Sequence, residues 1–247
     1  MLNDILTTPT NNKPIILTIV GEGGIGKTTF ASTFPNPIIL RTEDGTMSLD
    51  GRDDVALFPV SKSTKECFDY ISMLGTEEHN FKTLVIDSIT QFNTMIEKEI
   101  LDSDPKAKSI NSALGGYGAG HSAVSEVHRK FREWCGMLSN DKNMNIVFIA
   151  HTDTETIEMP DSDAYTRYTI RMNKKSVSHY SDNVDVVAYL KLKTFTTGSG
   201  DKKKAISNGE RIMTCYPTAN HISKNRLGIS EDITILKGEN PFLTYIK

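Results

Sequence analysis

The sequence predicts an α/β fold with a mostly parallel central sheet, helices on both faces and a β-rich C-terminal part. Short apolar runs alternate with segments of helical periodicity as far as about residue 150, and this alternation is typical of parallel strands joined by crossover helices. A glycine-rich loop lies between the first apolar run and the first helical segment. Beyond it, apolar runs at 167–172, 184–193 and 211–216 predict further strands.

Length and composition are those of one soluble domain. The chain has 247 residues, of which 38% are hydrophobic and 24% are charged, and this is long enough to bury a sizeable core. The net charge of −3 and the pI of about 6.1 exclude an overall positive field, so any nucleic-acid contact must be a local patch. We expect residues 1–13, rich in Thr and Asn, to form a flexible N-terminal arm and residues 14–247 to form the domain.

The cysteines and the apolar runs bear on the cellular compartment. Cys67, Cys135 and Cys215 are far apart, odd in number and lack the spacing of metal ligands, which indicates a reducing environment. No run has the length of a membrane span, and the first residues do not resemble a signal peptide. We therefore expect a cytoplasmic protein without a membrane segment.

The glycine-rich loop Gly21–Thr28, with the sequence GEGGIGKT, matches the pattern G-x-x-x-x-G-K-[ST]. A triphosphate needs many donors, and converging backbone N–H groups supply them only where bulky side chains are absent. Lys27 can neutralise the β- and γ-phosphates, and the Thr28 hydroxyl can bind Mg²⁺. We predict the nucleotide-binding residues to be Gly21, Gly23, Gly24, Ile25, Gly26, Lys27, Thr28 and Thr29.

The same loop also fits two other sequence patterns. Gly21, Gly23 and Gly26 also satisfy G-x-G-x-x-G, and Glu43 lies about twenty residues on, as a dinucleotide-binding fold requires. Lys27 and Thr28, which that fold does not need, favour the phosphate loop instead. The loop also resembles that of partition-type ATPases, but Glu22 stands where those proteins carry a signature lysine.

The elements can be placed approximately along the chain. We predict strands at about 14–20, 38–42, 55–60, 83–87 and 146–150, and helices at 29–34, 62–75 and 89–102 and after residue 120. Long loops are expected at 103–120 and about 152–166, and a hairpin tip at 198–204. Ligands of such sheets bind at the carboxyl ends of the strands, so the glycine loop, Glu43, Asp87 and His151 should meet in one cleft.

Each of these residues fits a role in catalysis or metal binding, and each also fits a simpler structural role. Asp87, after a buried run, fits the acid that holds Mg²⁺ opposite Thr28, or else it caps the following helix, as Ser88 also could. Glu43 fits the base that activates water, with Asp44 as a rival and a solvated turn as the alternative. His151 could sense the γ-phosphate or be only a hydrogen-bonded polar residue at a strand end.

The order of these motifs carries a family resemblance. The glycine loop, Thr42–Gly45, Leu84–Thr90 and Phe148–His151 together resemble RecA-like P-loop ATPases, which have an AAA-type ATP-binding domain. More narrowly, the chain resembles phage-encoded short RecA-like proteins grouped with single-strand annealing proteins and recombinases, over about residues 14–230. This resemblance implies a RecA-like P-loop NTPase fold for 14–247, with ATP and Mg²⁺ as cofactors. It also implies that Glu43 is catalytic and that His151 couples nucleotide state to DNA.

A second resemblance lies at residues 221–228. Its Lys224 and Arg226 are similar to the Lys-x-Arg-x-Gly element of replicative hexameric helicases, where the basic pair reaches the γ-phosphate of a neighbouring subunit. Such a pair would make hydrolysis depend on assembly into a ring or filament of identical subunits. The alternative is a solvated basic loop.

The resemblance also implies DNA contacts at the loops 103–120 and 152–168. In the first, Lys106 and Lys108 can follow phosphates and Tyr117 can stack on a base. The second is acidic and contributes Arg167 as its candidate. The implied partners are single-stranded DNA, further copies of the chain and a single-strand-binding protein in a bacterial host cell.

We therefore expect an ATP- and Mg²⁺-dependent ATPase that acts on single-stranded DNA in phage-type homologous recombination or strand annealing. One alternative is an annealing module that uses ATP as a switch with little turnover. The other is a P-loop kinase of nucleotides or small molecules, for which the sequence lacks an arginine-rich lid.

Overall fold

The apolar runs of the chain form a single large sheet. The computed structural model describes residues 13–197 and 204–246. The strands in these ranges are β1 Ile16–Gly21, β2 Pro37–Arg41, β3 Ala56–Leu57, β4 Thr83–Asp87, β5 Asn145–Met159, β6 Ser162–Ile170, β7 Val186–Thr197, β8 Lys204–Thr214, β9 Lys224–Asn225 and β10 Ile233–Ile235. Within the described residues the sheet has ten strands in the order β10-β8-β7-β1-β5-β4-β2-β3, with β6 paired to β5 and β9 to β7.

The strands from β7 to β3 in this order are parallel, and the later strands β6, β8, β9 and β10 join them antiparallel. The helices are α1 Lys27–Ala31, α2 Thr64–Thr76, α3 Ile89–Ser103, α4 Ala119–Asp141 and α5 Lys174–Ser181. The α/β class, the mostly parallel sheet and the β-rich C-terminal part are thus as the sequence predicts.

Helices cover both faces of the sheet, but unequally. Because successive strand residues point to opposite faces, Leu84 and Ile86 pack in the core beneath α2, α3, α4 and α5, whereas Val85 packs on the other face. That second face is covered by Phe30 of α1 and by Phe242 near the C-terminal end. The sheet is therefore buried on both sides, as continuous apolar runs require.

The register of the strands determines which residues meet at the carboxyl ends of β1, β2 and β4. Gly21, the last residue of β1, lies opposite His151 of β5 and Leu190 of β7. Asp87, the last residue of β4, lies opposite Arg41, the last residue of β2. The segments that follow β1, β2 and β4 therefore leave the sheet at one edge, beside His151.

Serine side chains cap the N-termini of two helices. The Ser63 hydroxyl accepts from the Glu66 N–H at 3.3 Å, and the Glu66 carboxylate accepts from the Lys62 N–H at 2.7 Å. Ser88 caps α3 by accepting from the Gln91 N–H at 3.2 Å. Since Ser88 provides this cap, Asp87 is left available for other partners.

The polar segment after His151 is a β-hairpin, so the loop predicted at about 152–166 is wrong. β5 continues to Met159 and pairs antiparallel with β6, from Thr152 opposite Ile170 to Met159 opposite Ser162. Its acidic side chains suggested a loop, but they alternate with threonines along an exposed ribbon. Glu155, for example, pairs with Arg167 across the two strands, with 2.9 Å between Oε1 and Nε.

Smaller differences concern element limits. The strand predicted at 55–60 is reduced to Ala56–Leu57, and the first helix ends at Ala31 rather than near Phe34. The helix Lys174–Ser181, capped by the Asn173 side chain, was not predicted. The expected hairpin tip lies mostly outside the described residues, as does nearly all of the expected N-terminal arm.

Helices long and apolar enough to cross a bilayer are absent from 13–197 and 204–246.

Candidate nucleotide-binding and hydrolysis site

The glycine loop needs its glycines at particular positions. Gly24 and Gly26 have φ values of 74° and 97°, which side chains with a Cβ rarely adopt. At Gly21 a Cβ would lie 2.6 Å from the Leu190 carbonyl oxygen of the neighbouring strand. At Gly23 a Cβ would meet nothing within 4 Å, so the structure gives this position no steric need for glycine.

Lys27 is folded back into the loop. Its Nζ donates to the carbonyl oxygens of Gly21 at 2.9 Å and Glu22 at 2.8 Å. Burial lowers the pKa of Lys27 to about 8, although the carboxylates of Asp87 and Glu43 oppose this shift. A buried ammonium held only by carbonyl groups gains most from an anion brought to the loop.

Thr28 and Asp87 are in direct contact. The Thr28 hydroxyl donates to Oδ2 of Asp87 at 2.6 Å. Burial raises the pKa of Asp87 above its usual value, and the Thr28 hydrogen bond opposes the rise. Ligand oxygens at adjacent positions of an octahedral Mg²⁺ lie about 3 Å apart. The Thr28 hydroxyl and the Asp87 carboxylate are both oxygen ligands that Mg²⁺ accepts, and the distance between them is close to the one that adjacent ligands require.

Glu43 lies across the cleft from Asp87 and is paired with His151. Its Oε1 is 3.4 Å from the His151 Nε2, and the two side chains are 36% and 24% exposed. The hydrogen bond from His151 holds the pKa of Glu43 below its usual value. Glu43 is therefore an ionised, solvent-accessible carboxylate at neutral pH.

Buried hydrogen bonds fix these groups relative to one another. The Thr42 hydroxyl accepts from the Ser88 N–H and donates to the Ser88 carbonyl, both at 2.8 Å, so the residue before Glu43 is tied to the residue after Asp87. The His151 N–H donates to the Thr90 hydroxyl at 2.9 Å. These tethers hold the ends of β2 and β4 in register with His151 in the middle of β5.

The glycine loop, Glu43, Asp87 and His151 meet in one cleft of about 330 Å³, although Gly21, Gly23 and Ile25 of the loop do not line it. Its lining residues are Gly24, Gly26, Lys27, Thr28, Thr29, Glu43, Gly45, Ser48, Asp87 and His151. Sequence reasoning missed Ser48, whose hydroxyl lies 3.3 Å from that of Thr29. No motif marks Ser48, because it reaches the cleft through a turn after Glu43.

Comparison with protein families gives a match over most of the chain. A family model described as an AAA domain matches residues 13–227. The chain belongs to the AAA domain family. Curated proteins gave no match to the sequence. Proteins of this family are, in general, nucleotide-binding ATPases that typically use Mg²⁺, and this general description applies to the chain.

The AAA domain holds Lys224 and Arg226 away from its own cleft. Both lie on or next to β9, which pairs with the beginning of β7. Lys224 Nζ donates to the carbonyl oxygens of Ser181 and Asp182, at 3.3 and 2.5 Å. Arg226 Nη1 lies 3.2 Å from the Asp185 carboxylate, yet its side chain is 59% exposed. Their role toward a neighbouring subunit stays a prediction.

The DNA-binding candidates of the AAA domain differ in their surroundings. Lys106, Lys108 and Tyr117 are exposed on the segment between α3 and α4, and Tyr117 has a φ of 50°. Arg167 instead lies on β6, where it pairs with Glu155. Its guanidinium is already engaged, so it is the least free of these side chains.

The end of the segment between α3 and α4 lies beside Lys175 of α5. Lys175 is the second residue of α5. Its Nζ lies 2.9 Å from the hydroxyl of Ser122 in α4. The same Nζ is 3.6 Å from where a Cβ on Gly118 would lie. Gly118, the residue after Tyr117, is therefore near the Lys175 ammonium, a proximity that the sequence alone did not indicate.

Proposed function

We propose that this protein is an ATP- and Mg²⁺-dependent ATPase that acts on single-stranded DNA in homologous recombination or strand annealing. The observation that carries the ATPase part is the division of labour between two carboxylates in one cleft. Asp87 is bound to Thr28 at 2.6 Å, whereas Glu43 is ionised and accessible beside His151. One acid is thus arranged for a cation and the other for water.

Each group of the chain then has a task in hydrolysis. The backbone donors of the loop and Lys27 bind the phosphates. Thr28 and Asp87 would hold Mg²⁺, which when bound neutralises charge on the transferring phosphoryl group. Glu43 orients the attacking water and takes its proton, and a carboxylate with a lowered pKa is in the right state to do so.

His151 is suited to report the phosphate state to DNA. It contacts Glu43 with its side chain, while its carbonyl accepts from the Arg171 N–H at 2.9 Å at the base of the hairpin. A change at Glu43 can therefore reach the hairpin through one residue. This supports coupling between hydrolysis and the hairpin, on which the DNA-binding candidate Arg167 lies.

The surface around Tyr117 supports contact with single strands. Its ring is fully exposed, and base stacking on such a ring contributes about 1–3 kcal/mol. Lys106 and Lys108 are exposed on the same segment, and Lys175 is close by. This is a local basic patch on a chain of net charge −3, so we expect binding to weaken steeply with salt.

The test is ATP hydrolysis at low salt with and without single-stranded DNA, on wild type and Lys27→Ala. We expect turnover to rise with DNA and to vanish in the variant. Turnover indifferent to DNA would remove the DNA part of the proposal. Turnover that instead requires a small-molecule acceptor would favour a kinase.

DNA binding itself is measured by fluorescence anisotropy of a labelled oligonucleotide. Tyr117→Ala should weaken binding by about five- to a hundredfold. Tyr245→Ala is the matched control, because Tyr245 is also exposed but lies near the C-terminal end, in a different part of the chain. Equal effects of the two substitutions would contradict a stacking role for Tyr117.

A further inference from the structure

Arg211 of β8 lies against the glycine loop. Its Nη1 donates to the Ile25 carbonyl oxygen at 3.5 Å, and a Cβ added to Gly26 would collide with the same nitrogen. The adjacent carboxylate, Glu210, is bound to Lys193 at 3.1 Å. Among the described residues no carboxylate pairs with Arg211. A guanidinium is thus held beside the anion-binding loop without an anion of its own.

The sheet order says which end of a nucleotide Arg211 would meet. From β1, which leads into the loop, β5 and β4 lie on one side and β7 and β8 on the other. Asp87 ends β4, while Arg211 of β8 is opposite Leu192, two residues beyond the Leu190 that faces Gly21. Asp87 and Arg211 therefore flank the loop from opposite sides.

We propose that Arg211 binds the α- and β-phosphates of the nucleotide held by its own chain. This rests on the proposed ATPase function. The γ-phosphate must lie near Asp87 and Glu43 for hydrolysis, so the rest of the phosphate chain extends over Gly26 toward β8. A second, small cleft of about 30 Å³ lies there, lined by Arg211, Thr29 and the turn 236–239. The planar guanidinium can form paired charge-assisted hydrogen bonds to phosphate oxygens.

Arg211 is therefore a binding residue rather than one that lowers the barrier of hydrolysis. ATP and ADP share the phosphates that it contacts, so removing it should weaken both to a similar extent. An interaction that is equal in the ground state and in the transition state changes KM and not kcat. This separates Arg211 from Glu43, whose loss should change kcat.

The experiment measures Kd for Mg-ATP and for ADP by calorimetry on Arg211→Gln and Arg211→Lys, with melting temperatures to establish folding. We expect Arg211→Gln to weaken both nucleotides by about ten- to a hundredfold, with kcat at saturation close to that of wild type. Arg211→Lys should fall between the two proteins, because lysine keeps the charge but not the fork. The dependence of Kd on salt should be shallower in Arg211→Gln.

Arg129→Gln is the matched control. It makes the same change in net charge, but Arg129 is on α4, on the opposite face of the sheet, paired with Glu126 and Glu133. Its Kd values should equal those of wild type. Unchanged affinity in Arg211→Gln, or a loss confined to ATP, would overturn the assignment. If wild type itself fails to bind either nucleotide, or Lys27→Ala binds as tightly as wild type, the proposed function fails instead.

Discussion

Glu43 and His151 are 108 residues apart in the chain, yet Oε1 of the first lies 3.4 Å from Nε2 of the second. The contact joins the segment that follows β2 to the middle of β5. The hydrogen bond from His151 holds the pKa of Glu43 below its usual value. Among the described lining residues, the cleft has two carboxylates, Glu43 and Asp87, and the contact with His151 gives Glu43 surroundings that differ from those of Asp87.

Glu43→Gln should lower kcat for ATP hydrolysis by about a hundred- to ten-thousandfold, because the amide cannot accept the proton of the attacking water. Nucleotide affinity should remain near that of wild type. Asp44→Asn is the matched control, since Asp44 is the neighbouring acid and its side chain is 81% exposed. Loss of turnover in Asp44→Asn rather than Glu43→Gln would transfer the role to Asp44. Annealing that survives in Glu43→Gln would favour ATP as a switch.

Nucleotide affinity should fall as the pH rises through about 8. Lys27 must be charged to pair with phosphates, and burial lowers its pKa to about 8. Above that pH binding has to take up a proton, so Kd should rise by about tenfold per pH unit. Calorimetry between pH 7 and 9.5 checks this, with Lys27→Arg as the control that stays charged. A wild-type Kd that is flat over this range would contradict the prediction.

Arg226 should matter only in assemblies. It is paired with Asp185 at the start of β7, far along the strand from the glycine loop of its own chain. If it completes a neighbour's site, Arg226→Ala should abolish assembly-dependent turnover without changing nucleotide affinity. Mixing inactive Arg226→Ala with inactive Lys27→Ala should then restore activity, since one supplies an intact cleft and the other an intact arginine. Arg226→Ala that hydrolyses ATP like wild type would remove the role.

Acid should destabilise the fold through His128. Nε2 of this buried histidine lies 3.1 Å from Asn93 Oδ1 and Nδ1 lies 2.8 Å from the Tyr180 hydroxyl, so the neutral ring uses both nitrogens. Burial lowers the pKa of His128 to about 3. The unfolded chain takes up this proton near pH 6.5, so stability falls as the pH drops from about 6.5 toward 3.

The loss should be on the order of 1 kcal/mol per pH unit over that window. Urea unfolding at pH 7, 5.5 and 4 measures it in wild type and in His128→Gln, whose uncharged amide can still donate to Asn93 and does not titrate in this range. The variant should lose less stability on acidification. Some loss will remain, because burial also lowers the pKa of His221 to about 4. Equal losses in the two proteins would exclude His128 as the cause.

The fold and the cleft were largely readable from sequence because both follow from local patterns. Thr83–Asp87 and the helix that begins at Ile89 have the predicted limits, since an apolar run followed by a serine cap is a signal contained in a few residues. The meeting of Glu43, Asp87 and His151 followed from one rule about parallel strands.

What escaped prediction depends on contacts distant in sequence. Arg211 touches Ile25 across 186 residues, and no motif surrounds it. The hairpin after His151 was mistaken for a loop because its acids look solvated until Arg167 is seen opposite Glu155. Lys175 near Tyr117 is likewise a product of helix packing, which residue spacing does not encode.

β5 is one strand in two surroundings. Up to His151 it lies between β1 and β4 in the core, and beyond His151 its pairing partner among the described residues is β6. The eight residues that follow His151, up to Met159, extend about 26 Å at about 3.3 Å per residue, so a tilt of about 10° at His151 would move the tip by about 5 Å. If hydrolysis reorients His151, as the proposed function requires, the length of the hairpin would turn that small rotation into a movement of its tip by several ångströms.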